Sequence, residues 1–504
     1  MQYLVSGKEM KLLDQNTSSH FHVPELVLME QAAAGFVREL FSLEKACGRD
    51  WEKALILCGS GNNGADGLAV ARLLAQQGRK VAVYAAGERA GHTTTEAYRI
   101  QKEICQAYGI TMENALETEG YGLLIDALFG IGLSRKVEGE LAALLESANR
   151  TEAWRVAVDI SSGISADSGE IYGTAFRADD TLTFSFAKLG QFLWPGSDYS
   201  GQVHVIPMGI TEESFLGAVP KVAALEKKDL QLPVRVAHSN KGTYGRLLVV
   251  AGSVNMAGAA CLCTRAAYRS GCGLVRVLTA EENRIIVQSA VPEAVLTTYG
   301  EEIKPEEIAE AVRWADAVVV GPGLGQGSAA AELLCAVLES AENPVVLDAD
   351  ALNLLSKEPK QLLAHKGQGW IVTPHLGEMA RLTGETTDFL QRNICGAAEQ
   401  FADAYGVVCV LKDFRTVTAV PGGQMYLNLS GNNGMATAGS GDVLAGIMGG
   451  LLAQGMPPED AAMAVYIHGL AGDAAASACG MRAVTAGDIV EGLCCMAEGK
   501  ENVP

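Results

Sequence analysis

Short apolar runs alternate with helical patterns along both halves of this chain, and such an alternation folds into mostly parallel sheets covered by helices. In the first half the strand-like runs are 54–58, 80–85, 123–127, 155–160, 181–184 and 203–206. A helical segment over 9–40, broken near Val23-Pro24, precedes them, so a doubly wound sheet is the expected fold. The second half starts afresh, with runs at 246–251, 274–279, 317–320, 344–347, 370–373, 407–411 and 416–420 and Ala/Leu-rich helices such as 329–340 and 459–478 between them. The stretch 211–240 is less patterned and carries Lys221, Lys227, Lys228 and two prolines, which places the junction there. A chain of 504 residues exceeds one ordinary core. Two α/β domains are therefore expected, 1–215 and 225–500.

The formal charge of −20 opposes non-specific attachment to nucleic acid or to an anionic membrane, so neither is an expected partner. Any anionic ligand must be held locally, by backbone amides at helix starts and glycine loops. The 12 cysteines are scattered, and most lie in apolar runs, as Cys58 and Cys409 do. Buried free thiols fit that placement better than metal ligands, because Cys261/Cys263 and Cys494/Cys495 lack zinc-site spacing. Met1-Gln2-Tyr3-Leu4-Val5 has no basic region ahead of an apolar core, and no uncharged apolar run reaches spanning length, so a reducing cytoplasm is the expected location.

Gly59-Ser60-Gly61-Asn62-Asn63-Gly64 follows a strand and opens a helix expected over 68–77, which formally meets the dinucleotide fingerprint. Asp66 argues against a dehydrogenase, since its carboxylate would repel a pyrophosphate at the helix start. Two further polar loops follow strands, Asp126-Ala127-Leu128-Phe129-Gly130-Ile131-Gly132 and Asp159-Ile160-Ser161-Ser162-Gly163. Loops at the carboxyl ends of parallel strands converge on one site. Asn63, Asp126 and Ser162 offer oxygens suited to a hard cation, and Asp159 can transfer a proton. Asp167 reads as a capping or turn residue.

The second half has no Walker loop. Its distinctive run is Gly431-Asn432-Asn433-Gly434-Met435-Ala436-Thr437-Ala438-Gly439-Ser440-Gly441-Asp442, ahead of an apolar helix over 443–452. Small residues let the chain approach a ligand closely, helix amides can hold a phosphoryl group, and Asp442 can take a proton from an attacking hydroxyl. A helix capped by Asp442 after a glycine turn is the structural alternative. Gly321-Pro322-Gly323-Leu324-Gly325, Asp348-Ala349-Asp350 and Thr373-Pro374-His375-Leu376-Gly377-Glu378 add small and polar residues at other strand ends, with carboxylates that could act through magnesium. Phosphoryl transfer to a hydroxyl fits these residues, and a small-alcohol kinase is one enzyme that would perform it.

Lys11-Leu12-Leu13-Asp14, Leu26-Val27-Leu28-Met29-Glu30, Gly61-Asn62-Asn63-Gly64-Ala65-Asp66-Gly67, Asp126-Ala127-Leu128-Phe129-Gly130 and Val158-Asp159-Ile160-Ser161-Ser162-Gly163 together resemble the NAD(P)H-hydrate epimerase family over the first domain. The resemblance implies an isomerase that binds hydrated NADH or NADPH with a potassium ion and interconverts the epimers at C6. It implies substrate contacts at Asn62, Asn63, Gly64, Ala65, Asp66, Gly130, Ile131, Gly132, Leu133, Ser134, Arg135 and Lys136. It further implies potassium ligands at Asn63, Asp126 and Ser162 and an acid/base at Asp159. Ala65 stands where the family usually has glycine, and Ser161 where it usually has proline; Lys188 lies in another family-like segment.

The second-half motifs resemble the ribokinase-like ADP-dependent NAD(P)H-hydrate dehydratase family. That resemblance implies a lyase in which ADP, with Mg2+, phosphorylates the ring hydroxyl of the S epimer and phosphate then leaves, giving NAD(P)H, AMP and phosphate. It places hydrate contacts at Ala259, Gly325 and His375, ADP contacts at Lys412, Asp413, Phe414, Arg415, Thr416 and Gly441, and the base, touching the hydrate, at Asp442. Lys412-Asp413-Phe414-Arg415-Thr416 departs from the small, glycine-bearing segment of relatives, and Asn433 replaces a frequent proline. Homo-oligomers are common for such sheets, and one is expected here.

Overall fold

The computed structural model describes residues 1–90, 92–113, 119–300 and 303–496; positions 497–500 of the second expected domain lie outside them. The chain divides into two compact units, one spanning Gln2–Val222 and the other Ala223–Pro504 with Met1. None of the described helices is long and apolar enough to cross a membrane.

In the first unit, seven strands among the described residues form one parallel sheet. Their spatial order is Thr111–Met112, Lys80–Tyr84, Lys53–Cys58, Leu123–Ala127, Trp154–Val158, Asp180–Phe184, Gln202–Ile206. Lys53–Cys58 comes before its two sheet neighbours in the chain, so strand order reverses beside it and a crevice opens at its carboxyl end. The pleat sends Ala54, Ile56 and Cys58 to one face, where they pack with Phe36, Leu40, Leu68 and Tyr98. Leu55 and Leu57 pack on the other face with Leu144 and Leu145 of the helix Gly139–Asn149. The sheet is doubly wound.

Pro24 caps the helix Glu25–Cys47 and separates it from Gly7–Ser19, the break its fixed φ and missing N–H dictate. The helix expected over 68–77 starts instead at Asn62, so the polar loop is already helical. Two glycines permit this: a Cβ on Gly64 would stand 2.0 Å from the Gly59 carbonyl oxygen, and one on Gly67 2.5 Å from the Ala127 Cβ. A short parallel pair, Gln2–Val5 with Ala187–Lys188, sets Lys188 beside the start of the Gly7–Ser19 helix. Both strands are too short, at four and two residues, to be read from sequence.

In the second unit the strand order is Val295–Tyr299, Leu274–Ala280, Arg246–Val250, Ala317–Val320, Val345–Leu347, Ile371–Val372, Val408–Leu411, Val417–Ala419, Met425–Leu427. Pairing is parallel up to Val408–Leu411 and antiparallel beyond it. Leu247, Val249 and Ala251 pack with the helices Ala257–Arg269, Ser440–Ala453, Ala461–Cys479 and Ala486–Met496. Val295–Tyr299 escaped the sequence reading because two threonines interrupt its apolar run, and Met425–Leu427 because it is so short.

Candidate active sites

A cavity of about 1180 Å3 opens at the carboxyl ends of the first unit's central strands. Asn62, Asn63, Asp66, Asp159, Gly130, Ile131, Gly132, Leu133, Ser134 and Arg135 line it. Gly64 and Ala65 lie buried behind that wall, and Lys136 is exposed. Arg135 meets His92 at 3.1 Å across the rim. Asp167 donates no chemistry to the site. Its Oδ1 accepts from the Gly7 amide at 2.6 Å and anchors the first helix.

Asp159 is held from every side. Its φ of 67° lies in the left-handed region, a conformation that costs a non-glycine residue about 1 kcal/mol or more. The surroundings enforce it: Asp159 N donates to Leu182 O at 2.9 Å, and Gln191 Nε2 donates to the Asp159 carbonyl at 2.8 Å. The carboxylate Oδ1 accepts from Lys188 Nζ, from Phe184 N at 3.0 Å and from Thr183 Oγ1 at 3.3 Å. Lys188 is wholly buried, and its ammonium also reaches Thr183 Oγ1 and Phe184 O. A buried ammonium persists only beside its countercharge, so Lys188 and Asp159 form a locked ion pair.

Asp126 is fully buried, and its carboxylate accepts from Ser162 N and Oγ, each at 2.7 Å, and from Leu128 N at 3.1 Å. Burial pushes its pKa up to about 6 against those hydrogen bonds. Phe129 N donates to Ser162 Oγ at 2.8 Å. Asn63 lines the cavity with its side-chain nitrogen buried and, among the described residues, unpartnered. Half a turn of that amide presents its oxygen instead. Asp126 and Ser162 lie fully buried, bonded to each other rather than lining the cavity, and with Asn63 they are the oxygen-bearing side chains whose chemistry fits a monovalent cation.

The second unit's site gathers around the Ser440–Ala453 helix. Gly439, at φ 90°, turns the chain into it, and Asp442 lies in its first turn. The helix thus starts three residues before the expected 443, which puts Asp442 among its free amides. Burial, then the Asp348 charge, pushes the Asp442 carboxyl up to about 6, while Lys412 pulls it down. Lys412 Nζ donates to Asp348 Oδ1 at 2.7 Å, and Thr373 Oγ1 donates to the same oxygen at 2.7 Å. Burial opposes the Lys412 charge, but Asp348 and Glu378 outweigh it and its pKa rises. A Cβ on Gly441 would stand 3.5 Å from Lys412 Nζ, so the ammonium lies directly against the loop.

Around this centre, His375 caps the Leu376–Thr383 helix, its Nδ1 accepting from Gly377 N at 2.9 Å and Glu378 N at 3.3 Å. The ring is exposed, and burial of its inner edge, then Lys412 and Arg381, lower its pKa, which keeps it neutral. Gly325 N donates to Asp350 Oδ2 at 2.8 Å, and a Cβ on Gly323 would stand 2.8 Å from the Ala259 Cβ, so the 321–325 turn and Ala259 form one wall. Asp413 receives a 3.4 Å contact from Gln391, Phe414 is exposed, and Arg415 donates to Leu429 O at 2.8 Å. Thr416 O accepts from Asn428 N at 2.9 Å. Asn432 and Gly431 are tied to Asp473, at 2.9 Å each.

A family profile described as NAD(P)H-hydrate dehydratase matches residues 247–494, and one described as the YjeF-related protein N-terminus matches 25–190. A bifunctional NAD(P)H-hydrate repair enzyme of Moorella thermoacetica is 37% identical over 97% of this chain and 96% of its own. The chain belongs to the bifunctional NAD(P)H-hydrate repair enzyme family. The family's Escherichia coli member is 38% identical over 88% of this chain and 84% of its own. An ADP/ATP-dependent NAD(P)H-hydrate dehydratase from Bacillus subtilis, crystallised with ATP/Mg2+, is 32% identical, with a TM-score of 0.48, over 55% of this chain and 98% of that one.

Sequence reasoning about this repair-enzyme chain missed several groups that the fold brings to the sites. In the sequence Lys188 stands only within a family-like segment, Asp14 within a motif, and Asp348 among carboxylates suited to magnesium. His468 carries no sequence signal. It is pushed down to about 4 by burial, then by Lys412, and its Nε2 lies 3.4 Å from Ser440 Oγ beneath the glycine loop.

Proposed function

We propose that the chain repairs hydrated NADH and NADPH, its first unit exchanging the R and S epimers at C6 and its second dehydrating the S epimer at the expense of ADP. The observation that carries this reading is the pairing, in one chain, of a cavity built around a locked Asp159–Lys188 pair with a glycine-rich helix start bearing Asp442 beside Lys412. In the second unit Asp442 takes the proton of the ring hydroxyl, whose oxygen attacks the terminal phosphorus of ADP, and AMP leaves. The Lys412 ammonium and the helix amides hold the phosphoryl oxygens in flight. Phosphate then departs with the C6–O electron pair, a proton is lost from C5, and the dihydropyridine ring is restored.

Asp348 Oδ2, on the loop side of the carboxylate, is suited to an ion carried in by the nucleotide; Mg2+ keeps waters and phosphate oxygens and would neutralise developing charge. In the first unit Asn63, Asp126 and Ser162 would hold K+, which supplies a positive field beside the ring. The 12 cysteines are all free thiols, which supports the cytoplasm as the compartment.

The deciding experiment incubates the purified protein with a mixture of both epimers and ADP, following NADH absorbance and free phosphate. Full recovery of the mixture with stoichiometric phosphate and AMP is expected. A stable phosphorylated alcohol would mark a small-alcohol kinase instead. Replacing K+ by tetramethylammonium should slow epimer exchange while the S epimer is still consumed.

A further inference from the structure

Exchanging epimers at C6 requires a hydroxyl to leave one face of the ring and a water to arrive at the other, so one proton must be supplied while another is removed. Asp159 meets only half of that need. Lys188 Nζ, Phe184 N and Thr183 Oγ1 all donate to its Oδ1, which leaves it placed as the proton acceptor. We propose, on the epimerase reading of the first unit, that Asp14 is the second acid–base group, donating the proton with which the C6 hydroxyl leaves as water.

The fold delivers Asp14 to the cavity. A capping box opens its helix, Ser6 N donating to Glu9 Oε2 at 2.7 Å and Glu9 N to Ser6 Oγ at 3.2 Å. Asp167 fixes the first turn through Gly7 N, and a Cβ on Gly7 would stand 3.1 Å from Ile131 O, so the helix is seated against the 130–136 loop. Two turns on, Asp14 lines the same cavity as Asp159 and Lys188. Its carboxylate has no hydrogen-bond partner among the described residues, whereas Asp159 has three donors on one oxygen. Burial first, then the Asp159 charge, pushes Asp14 up to about 6, with Glu25 adding to the rise and Lys188 opposing it. Two carboxyls in one cavity, one with three donors on a single oxygen and the other with none, are the arrangement an acid/base pair needs. The other charged groups on the walls are Lys11 on the same helix, Glu25, Asp66 and Arg135, with His92 at the rim. Asp66 is also pushed well above its ordinary value, by burial and then by Asp159, and is the competing donor.

The step balances. The C6–O bond breaks with its electron pair on oxygen, which takes the Asp14 proton and departs as water, and the N1 lone pair closes a C6=N1 bond. Water from the cavity adds to the opposite face, N1 regains its pair, and Asp159 takes the surplus proton. The enzyme is then set for the reverse passage, with the two carboxyls exchanged in role.

The test uses the full chain and the pure R epimer, with ADP and the second unit reporting S epimer as it forms. Wild-type exchange comes first, and its absence would overturn the epimerase reading itself. Given exchange, Asp14→Asn should lower kcat for exchange by about 100-fold or more with KM little changed, while added S epimer is consumed at the wild-type rate. Wild-type exchange should fall as pH rises past about 6, where Asp14 loses its proton, and the residual Asp14→Asn rate should lack that descending limb. In H2(18)O each exchanged molecule should gain one heavy oxygen at C6. Wild-type kinetics in Asp14→Asn, an unchanged descending limb, loss of exchange in Asp66→Asn alone, or exchanged product that keeps its original oxygen would each overturn the proposal.

Discussion

Asp442 carries two opposed demands, since a base must be ionised and its surroundings resist ionisation. Because burial and Asp348 raise its pKa to about 6, dehydration should climb as pH rises through that value and level off above it. Asp442→Asn should remove that limb and lower kcat by about 100- to 10,000-fold, measured as NADH formed from S epimer, with epimer exchange intact. The stability effect has the opposite sense. An unfolded Asp titrates near 3.9, so the folded chain binds the extra proton between that value and about 6, and the buried charge destabilises it increasingly as pH rises through this window. Thermal melts of Asp442→Asn should therefore show a higher Tm than wild type at pH 7.5 and no gain near pH 4. Asp159 and Asp442 stood out in the sequence because Asp159 opens a polar loop directly after a strand-like run and Asp442 closes a small-residue run ahead of an apolar helix. Lys188 and Asp14 were not, for a lysine after a strand and an aspartate on a polar helix look ordinary until the Gln2–Val5 pairing brings them to one cavity. Lys412 was placed with the nucleotide, but only the folded chain shows its ammonium turned onto Asp348.

The Ser440–Ala453 helix holds Asp442 in place through close packing rather than through polar contacts. A Cβ on Gly446 would stand 2.1 Å from the Cys263 carbonyl oxygen, and one on Gly450 2.3 Å from Ser270 Oγ, so one glycine face lets this helix lie against Ala257–Arg269. Gly446→Ala gains helix propensity but forces two backbones apart, and overpacking of this kind costs about 1–3 kcal/mol. Urea unfolding should show that loss, and dehydration should fall more than epimer exchange, because Asp442 moves with its helix. Gly487→Ala is the control: its Cβ would meet nothing nearer than the Thr485 side chain at 3.7 Å, so stability should hold or rise. From sequence the helix was legible as an apolar run after a glycine turn. Its glycine face was not, since an i, i+4 pair of glycines in an apolar segment acquires meaning only from the helix it meets. The same limit applies at Asn62–Gln76, where the polar loop reads as an open turn and is in fact helical because Gly64 and Gly67 clear the strands beside it.

At the scale of the chain, each chemical task is assembled inside one unit. The residues lining the first cavity run from Met10 to Met208, all within Gln2–Val222, while Asp348, Lys412, Asp442 and His375 all belong to the second unit. The alternation of strand-like runs and helices made this division legible, because a parallel sheet restarting after the patternless 211–240 stretch implies a second core with its own strand ends. Two complete sites on separate cores need no shared residue, so lesions in them should complement in trans. Supplied with pure R epimer and ADP, Asp159→Asn alone should form NADH only as fast as epimers exchange spontaneously, and Asp442→Asn alone should form none. An equimolar mixture of the two variants should form NADH at a rate set by the intact epimerase of one and the intact dehydratase of the other, as the S epimer released by the first reaches the second through solution. A mixture no faster than Asp159→Asn alone would mean that one site draws a group from the other unit, against the placement of every lining residue.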